Sequence, residues 1–509
     1  MEENYREKIG KLIAELRINH NLTQAELAEK LSTSQSAINR IEKGAQNISL
    51  EIIARISDVL NSEILSVNDE GKMNLRIHGG RKLRGSISVN TSKNAAMGLL
   101  CASLLNKGKT TLRQMPRIEE VNRIIEVLNS VGVKTRWFND EKDLEIVPPR
   151  RLKLAEMNVE AAKKTRSILM FLGPLLHQYR DFKIPFSGGC NLGKRTVEPH
   201  LQALAPFGLK VENTPGTDFY HVKVSPKKPS ETIVLSERGN TTSENLLMAT
   251  ALNNGVTIAR NISNDYMVLD VCYYLQKLGV KIDGVGGTNL KITGLSSINK
   301  DVEYFLSEDP IEAMSLIAAA IVTNSEMTVA RVPIEAIDVE LAILKNMGLK
   351  YEISEQYLSR NGKTIIADIL IKKSKLVAPK DKISGFPSAV NMDNLPFLGL
   401  IVAVAEGRTL IHDWAYENRA IYLTELTRLN ANIEMVDPHR VYVTGPTHFR
   451  AADVVAPSAL RPSVVIMLAM LAATGTSILR DVYNINRGYE DIYQRLNSLG
   501  AKIEVFRDI

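Results

Sequence analysis

Ala251-Leu-Asn-Asn-Gly255, followed by Leu278-Gly279-Val280-Lys281-Ile282, is the stretch from which the architecture is read. A small apolar helix end runs into a turn, a short strand and a second helix follow, and a Leu-Gly pair closes the unit before another strand. The same order returns as Leu104–Gly108 with Val131-Gly132-Val-Lys134, and as Ala320–Asn324 with Met347-Gly348-Leu-Lys350. It returns again as Val404–Gly407 with Leu429-Asn430-Ala-Asn432, and as Ala472–Gly475 with Leu499-Gly500-Ala-Lys502. The two turns stay 23 to 25 residues apart. A looser sixth copy runs from Gly173-Pro-Leu-Leu176 to Phe207-Gly208-Leu-Lys-Val211 and contains an additional cysteine-bearing loop. One copy cannot bury its apolar helix face alone, so copies must pack on one another. Six copies allow two globules of three, and a cleft between similar globules is a natural place for a substrate.

Outside the repeat, composition sets bounds. A chain of 509 residues exceeds one core, so two to four domains are expected. The formal charge of +6 favours anionic partners without choosing between nucleic acid and phosphorylated metabolites. Three cysteines imply no disulfide framework, and Cys101 and Cys272 read as small apolar helix residues, which points to a reducing cytoplasm. Met1-Glu-Glu-Asn-Tyr-Arg-Glu-Lys8 has no signal pattern and Val464–Ala473 is too short to span a membrane, so no membrane partner is expected. The histidines and cysteines lack zinc-ligand spacing, and no metal site is expected.

Ahead of the repeats, residues 1–68 form a helical module followed by a polar linker at 69–72. Ile9, Leu12, Ile13 and Leu16, then Leu27, Ala28 and Leu31, then Ile38 and Ile41 recur at helical spacing. Thr23-Gln24-Ala25-Glu26 is a capping box, and Ser32-Thr33-Ser34 caps the next helix, expected from Ser34 to Glu42. That helix presents Gln35, Ser36, Asn39, Arg40 and Lys43, and Gln24 stands at the head of the helix before it. Amide and basic groups so placed suit base edges and phosphates in a major groove, or simply form a solvated face. Leu22–Gly44 closely resembles the helix-turn-helix of the phage-repressor (XRE) family. The resemblance implies DNA as a partner, contacted through those six residues, with self-association if DNA is read. Some members of that family bind proteins instead.

The inserted loop reads Phe186-Ser-Gly-Gly-Cys190-Asn-Leu-Gly-Lys194-Arg195-Thr-Val-Glu198-Pro-His200. Glycines free its backbone, and Lys194 and Arg195 favour a thiolate and would hold a phosphate or carboxylate. The alternative is a buried cysteine beside a basic turn. Other loops place cations at helix ends: Thr91-Ser-Lys93-Asn94-Ala-Ala, Lys164-Thr-Arg166-Ser, Glu417-Asn-Arg419, Leu460-Arg461-Pro-Ser and Asn486-Arg487-Gly-Tyr-Glu490. Free amides at a helix start already favour an anion.

Together these motifs resemble the enolpyruvyl transferase family, and within it the UDP-N-acetylglucosamine 1-carboxyvinyltransferases, over essentially all of 73–509. The resemblance implies an α/β (α+β) fold of two inside-out α/β prisms of three repeats each, behind a small all-α helix-turn-helix domain. One prism would comprise 92–308, with the Cys190 loop, and the other 73–91 plus 309–509. It implies phosphoenolpyruvate and UDP-N-acetylglucosamine, or a related nucleotide, as substrates in the first committed step toward peptidoglycan, with no metal or organic cofactor. Lys93, Arg195, Arg419 and Arg487 would clamp phosphoenolpyruvate. Arg461 would share that cleft, and Asn94 and Arg166 would meet the acceptor sugar. Cys190 would act in proton transfer and product release, and Asp393, near its ordinary pKa, would be the general base.

Departures from the family pattern gather on the acceptor side. Phe386–Asn394 is longer than the usual Phe-Pro-Thr-Asp, Ala459 replaces an aspartate, Arg238–Glu244 replaces Ser-Val-Gly-Ala-Thr, and Met170 replaces an aromatic residue. The altered loops motivate one alternative, transfer to another nucleotide sugar or nucleoside monophosphate, and the fused helix-turn-helix with Ala459 motivates a second, a DNA-binding regulator that uses the transferase fold as a ligand sensor.

Overall fold

The computed structural model describes residues 9–507 except 11–12, 15, 19–21, 47, 50–51, 54, 57–58, 60–71, 187–195, 214–217, 228, 230–231, 386–389 and 416–418. The chain divides into residues 1–72 and residues 73–508. In the first unit the Thr23 hydroxyl accepts the Glu26 N–H at 3.2 Å and the Glu26 carboxylate accepts the Thr23 N–H at 2.7 Å. This reciprocal cap starts α1 (Gln24–Lys30). The Ser34 hydroxyl accepts the Ala37 N–H and starts α2 (Gln35–Glu42). Ile13, Leu27, Leu31, Ile38, Ile41, Ile53 and Ile56 form a core of their own.

Five of the six sheets in the second unit share one strand order among the described residues. A first strand lies parallel to the second, and two antiparallel strands close the sheet in the spatial order first, second, fourth, third. Thr232–Val234, Val256–Arg260, Lys281–Asp283 and Asn289–Thr293 show it in continuous sequence, and so do the four strands between Lys382 and Gly445. The sheet of the cysteine-loop copy lacks a first strand. The turn before each third strand is left-handed: Gly132, Gly208, Gly279, Gly348, Asn430 and Gly500 have φ between 76° and 106°. A helix that must stop and reverse within one residue needs this conformation, which glycine tolerates and asparagine accepts.

Three sheets borrow a strand. Val302–Phe305 supplies the first strand beside Thr110–Arg113, and Ser86–Ser88 does so beside Met327–Pro333. Met73–His78 lies between Thr476–Arg480 and Ile503–Arg507. The chain therefore passes between two sets of three sheets twice, near residues 89–92 and 305–309. The two passages pair: Ser92 N–H donates to Ser307 O and Asp309 N–H to Asn90 O, each at 2.8 Å.

Around one set lie α3 (Lys93–Ala102), α4 (Glu119–Ser130), α5 (Asn240–Ala251) and α6 (Tyr266–Leu278). Here α3, α5 and the helical stretch 166–175 pack together. In the other set α7 (Pro310–Val322), α8 (Leu395–Val404) and α9 (Leu460–Ala472) pack against one another. These last three are apolar nearly all round and buried along almost their whole length, as central helices must be.

The turn geometry separates two glycine substitutions. At Gly279 a Cβ would meet nothing nearer than Leu295 Cδ1 at 3.7 Å, whereas at Gly208 it would lie 1.7 Å from the Ser225 carbonyl oxygen. Gly279→Ala should cost about 1 kcal/mol from its positive φ alone, and Gly208→Ala clearly more. Urea unfolding midpoints of the full-length variants measure the difference.

Candidate active site

Helices α3 and α7 both begin where the two passages pair. Asp309 caps α7 by accepting the Ile311 and Glu312 N–H groups at 2.8 and 3.2 Å, and its other oxygen takes the Lys93 N–H at 3.3 Å. The Lys93 side chain leaves the first turn of α3 and pairs with Glu120 on α4, Nζ to Oε2 2.5 Å. Arg487, from the far end of the chain, reaches the other oxygen of Glu120 at 3.4 Å. Asp393, just ahead of α8, takes Arg419 at 3.1 Å and Arg461, from the first turn of α9, at 3.4 Å. Arg419 is 3% exposed and also pairs with Asp413 at 2.9 Å, and Asp413 accepts the Tyr422 hydroxyl. A pocket of about 20 Å³, room for one water, opens between Asn90, Lys93, Asp309, Arg461 and Tyr489. Arg461 Nε and the Tyr489 hydroxyl are buried beside it with no protein hydrogen-bond partner among the described residues.

The charges act as one cluster. Burial would raise the Glu120 carboxyl, but Lys93, Arg487 and Arg461 hold it below its ordinary value. Burial likewise opposes ionisation of Asp393, and Arg461, Arg419 and Lys93 reverse this, holding it far below the usual carboxylate range. The sequence-based expectation of an ordinary Asp393 pKa is therefore corrected: two arginines lie against it.

The structure brings together Lys93, Arg419, Arg461, Arg487 and Asp393 from loops up to several hundred residues apart. The Asn94 amide donates to the Tyr266 hydroxyl at 3.1 Å, and Arg166 donates to Thr196 O at 3.0 Å, at the foot of the cysteine-bearing loop. His200 lies near that arginine, its pKa lowered to about 4 by burial and then by the Arg166 charge. Cys190, Lys194 and Arg195 lie outside the described residues. Cys101 and Cys272 are buried, and burial pushes the Cys272 thiol up to about 12, so neither is a nucleophile. Met170 is 2% exposed, so its side chain packs in the core. Ala459 stands buried at the head of α9 without a side-chain cap.

Sequence reasoning missed Glu120, Asp309 and Asp413. Glu120 and Asp309 stand at helix starts, a pattern shared with ordinary caps, and Asp413 directly follows a strand; only the fold turns these three toward cations.

In the front module Gln35, Ser36, Arg40 and Lys43 are exposed on α2 and Asn39 is half-buried. Arg40 Nε donates to Gln46 Oε1 at 3.1 Å. The Gln24 amide is engaged within the module, donating to Glu42 at 2.7 Å, and Glu42 also pairs with Arg17 at 2.6 Å.

The EPSP synthase (3-phosphoshikimate 1-carboxyvinyltransferase) family matches residues 77–496, and a helix-turn-helix family matches 13–65. A UDP-N-acetylglucosamine 1-carboxyvinyltransferase of a Nitratiruptor species is 30% identical over 84% of this chain and 98% of its own. The chain belongs to the enolpyruvyl transferase family. The enzyme of the same name from Treponema pallidum (strain Nichols) is 30% identical over the same shares. Among solved structures, the enolpyruvyl transferase NikO from Streptomyces tendae superposes with a TM-score of 0.75 at 22% identity, covering 86% of this chain and all of that one. EPSP synthase from Acinetobacter baumannii gives 0.69 at 17% identity, covering 86% of this chain and all of its own. These likenesses agree with the fold expected for this transferase family.

Asp393→Ala strips Arg461 of its carboxylate while Arg419 keeps Asp413. It should destabilise the protein by roughly 2 kcal/mol, less than the ~3–5 kcal/mol of a fully abandoned buried charge. Because the folded pKa of Asp393 is depressed, its contribution is present above the unfolded value and is lost as pH falls through the folded one. The gap in urea midpoint between wild type and variant should be full at about pH 6 and narrow below about pH 4.

Proposed function

We propose that residues 73–508 transfer the enolpyruvyl group of phosphoenolpyruvate to the 3-hydroxyl of UDP-N-acetylglucosamine, releasing phosphate, in the cytoplasm and as the first committed step toward peptidoglycan. The observation that carries this reading is the convergence of Lys93, Arg419, Arg461 and Arg487 on two carboxylates at the chain crossing. A small substrate bearing both phosphate and carboxylate needs such a density of fixed cations. Strand exchange at 86–88 and 302–305 supports reading 92–308 and 73–91 with 309–509 as two globules with the cleft between them. No described helix is long and apolar enough to cross a membrane.

In this reaction the acceptor oxygen adds to C2 of phosphoenolpyruvate, its proton passes to Asp393, and C3 gains a proton to become a methyl group. The tetrahedral ketal then loses a C3 proton, the C2–O bond to phosphate breaks with its electron pair on phosphate, and the enol ether remains. Arg461 and Arg419 make Asp393 a weak base in the ligand-free protein. When they turn to the substrate anion, their hold on Asp393 weakens and its basicity rises as the hydroxyl arrives. The family resemblance assigns proton transfer at C3 to Cys190 and a further cation to Arg195, and Asn94 and Arg166 would line the acceptor side. With the full-length protein, phosphate release should require both substrates, and the product should be heavier by one enolpyruvyl group. Lys93→Ala and Asp393→Asn should each lower kcat/KM by ~10²–10⁴-fold. Release with a different nucleotide only would move the acceptor and leave the chemistry.

We infer that the front module binds DNA through Gln35, Ser36, Asn39, Arg40 and Lys43, as a dimer. The exposed polar and basic edge of α2 above a capped, independently cored helix pair supports this. Gln24 would serve through its remaining carbonyl oxygen. In a gel shift on the DNA upstream of its own gene, Arg40→Ala should weaken binding and flatten its salt dependence by about one counter-ion. Absence of any shift at low salt would make the module a protein-contact domain.

A further inference from the structure

Asp393 is held from a side that the cation cluster does not explain. Asn391, two residues earlier and within the segment that runs longer here than in the family pattern, accepts the Asp393 N–H on its side-chain oxygen at 2.9 Å. Its amide nitrogen faces Asp265 Oδ2 at 3.4 Å, and its own N–H donates to Glu340 Oε1 at 3.0 Å. Glu340 also accepts the Asn394 amide at 2.9 Å. Asp265 belongs to the opposite set of sheets, where it caps α6 through the Tyr266 N–H and accepts the Asn240 amide at 2.7 Å. Tyr266 in turn accepts the amide of Asn94, the neighbour of Lys93. Hydrogen bonds, passing through Tyr266, thus link the start of α3 to Asp393 across the two sets, and among the described residues Asn391 is the member that touches both aspartates, the backbone N–H of Asp393 and the carboxylate of Asp265.

We propose that Asn391 is a positioning residue for the general base: it orients Asp393 from within its own loop and, through Asp265, registers that loop against α6 on the other side of the cleft. The inference rests on Asp393 being the base. Geometry explains why an amide fits here. Asp393 faces Arg461, Arg419 and Lys93, whereas Asp265 faces Asp393 and Glu340, and burial followed by those like charges pushes Asp265 up to about 6. A neutral side chain whose oxygen accepts the Asp393 N–H while its nitrogen faces the Asp265 carboxylate ties the two residues together without placing a third charge between carboxylates that repel. Neither Asn391 nor Asp265 contacts Lys93, Arg419, Arg461 or Arg487 among the described residues, so phosphoenolpyruvate binding should be indifferent to both.

The test measures kcat and both KM values of the full-length protein with phosphoenolpyruvate and UDP-N-acetylglucosamine. Asn391→Ala should lower kcat by ~10–100-fold, the scale of a base misplaced by about an ångström, with KM for phosphoenolpyruvate unchanged. Asn391→Asp should also lower kcat and shift the acid limb of its pH profile upward, because a third carboxylate stands beside Asp393. Adding Asp265→Asn should restore part of that loss, since the amide then sits on the other partner and can donate back. Asn391→Ala with kcat within twofold of wild type, or with only KM for phosphoenolpyruvate raised, would overturn the inference. So would an Asn391→Asp loss that Asp265→Asn does not relieve. Asp393→Asn run alongside separates the two failures: if it remains active, the base assignment itself is wrong. If it is inactive while Asn391→Ala is normal, only the positioning role falls.

Discussion

The pairing of residues 90–92 with 307–309 is the constraint on which the rest of the transferase unit depends. Two passages of chain between two sets of sheets would each leave unpaired backbone groups in a buried place, and pairing them with each other satisfies those groups. The same pairing decides where α3 and α7 begin. Lys93 and Asp309 are therefore neighbours although more than two hundred residues separate them, and the first turns of two apolar helices open at one point.

Charge then has to be balanced at that point. Lys93, Arg461 and Arg487 could not lie partly buried together without counter-ions, because each would lose hydration with nothing in return. Glu120 and Asp393 supply them, one carboxylate from each set of sheets. Each of the three cations is thereby paired through side-chain contacts, two of them sharing Glu120. Glu120 stands between Lys93 and Arg487, so among the described residues each of these two cations already has an anionic partner.

The altered acceptor side fits this scheme unevenly. Met170 is packing, and Ala459 removes a carboxylate from the head of α9 while Arg461 finds Asp393 instead. The lengthened segment before Asp393 contributes Asn391, which fastens the loop to Glu340 and faces Asp265. The replaced loop at Arg238 contributes Asn240, which meets the same aspartate. Two departures that look separate along the chain thus converge on one carboxylate.

Much of this was readable from the residues alone. The left-handed turns at Gly132, Gly208, Gly279, Gly348, Asn430 and Gly500 follow from local backbone sterics, so a repeated Leu-Gly before a strand was enough to count the copies. The capping box at Thr23 is equally local, and the cations at loop ends could be listed from the sequence because lysine and arginine are seldom placed at apolar helix starts for packing. Carboxylates were another matter: Glu120, Asp309 and Asp265 have the sequence appearance of common helix-start residues. Gln24, at the head of its helix, gives its amide to Glu42, a partner set by how α1 and α2 cross. The sequence by itself determined the repeat, the caps and the identity of the cations, since these depend on interactions a few residues long. Which strands are exchanged, which carboxylate meets which cation, and how far Asp393 is held below its ordinary pKa were decided only by the tertiary structure, because they depend on distances between groups tens to hundreds of residues apart.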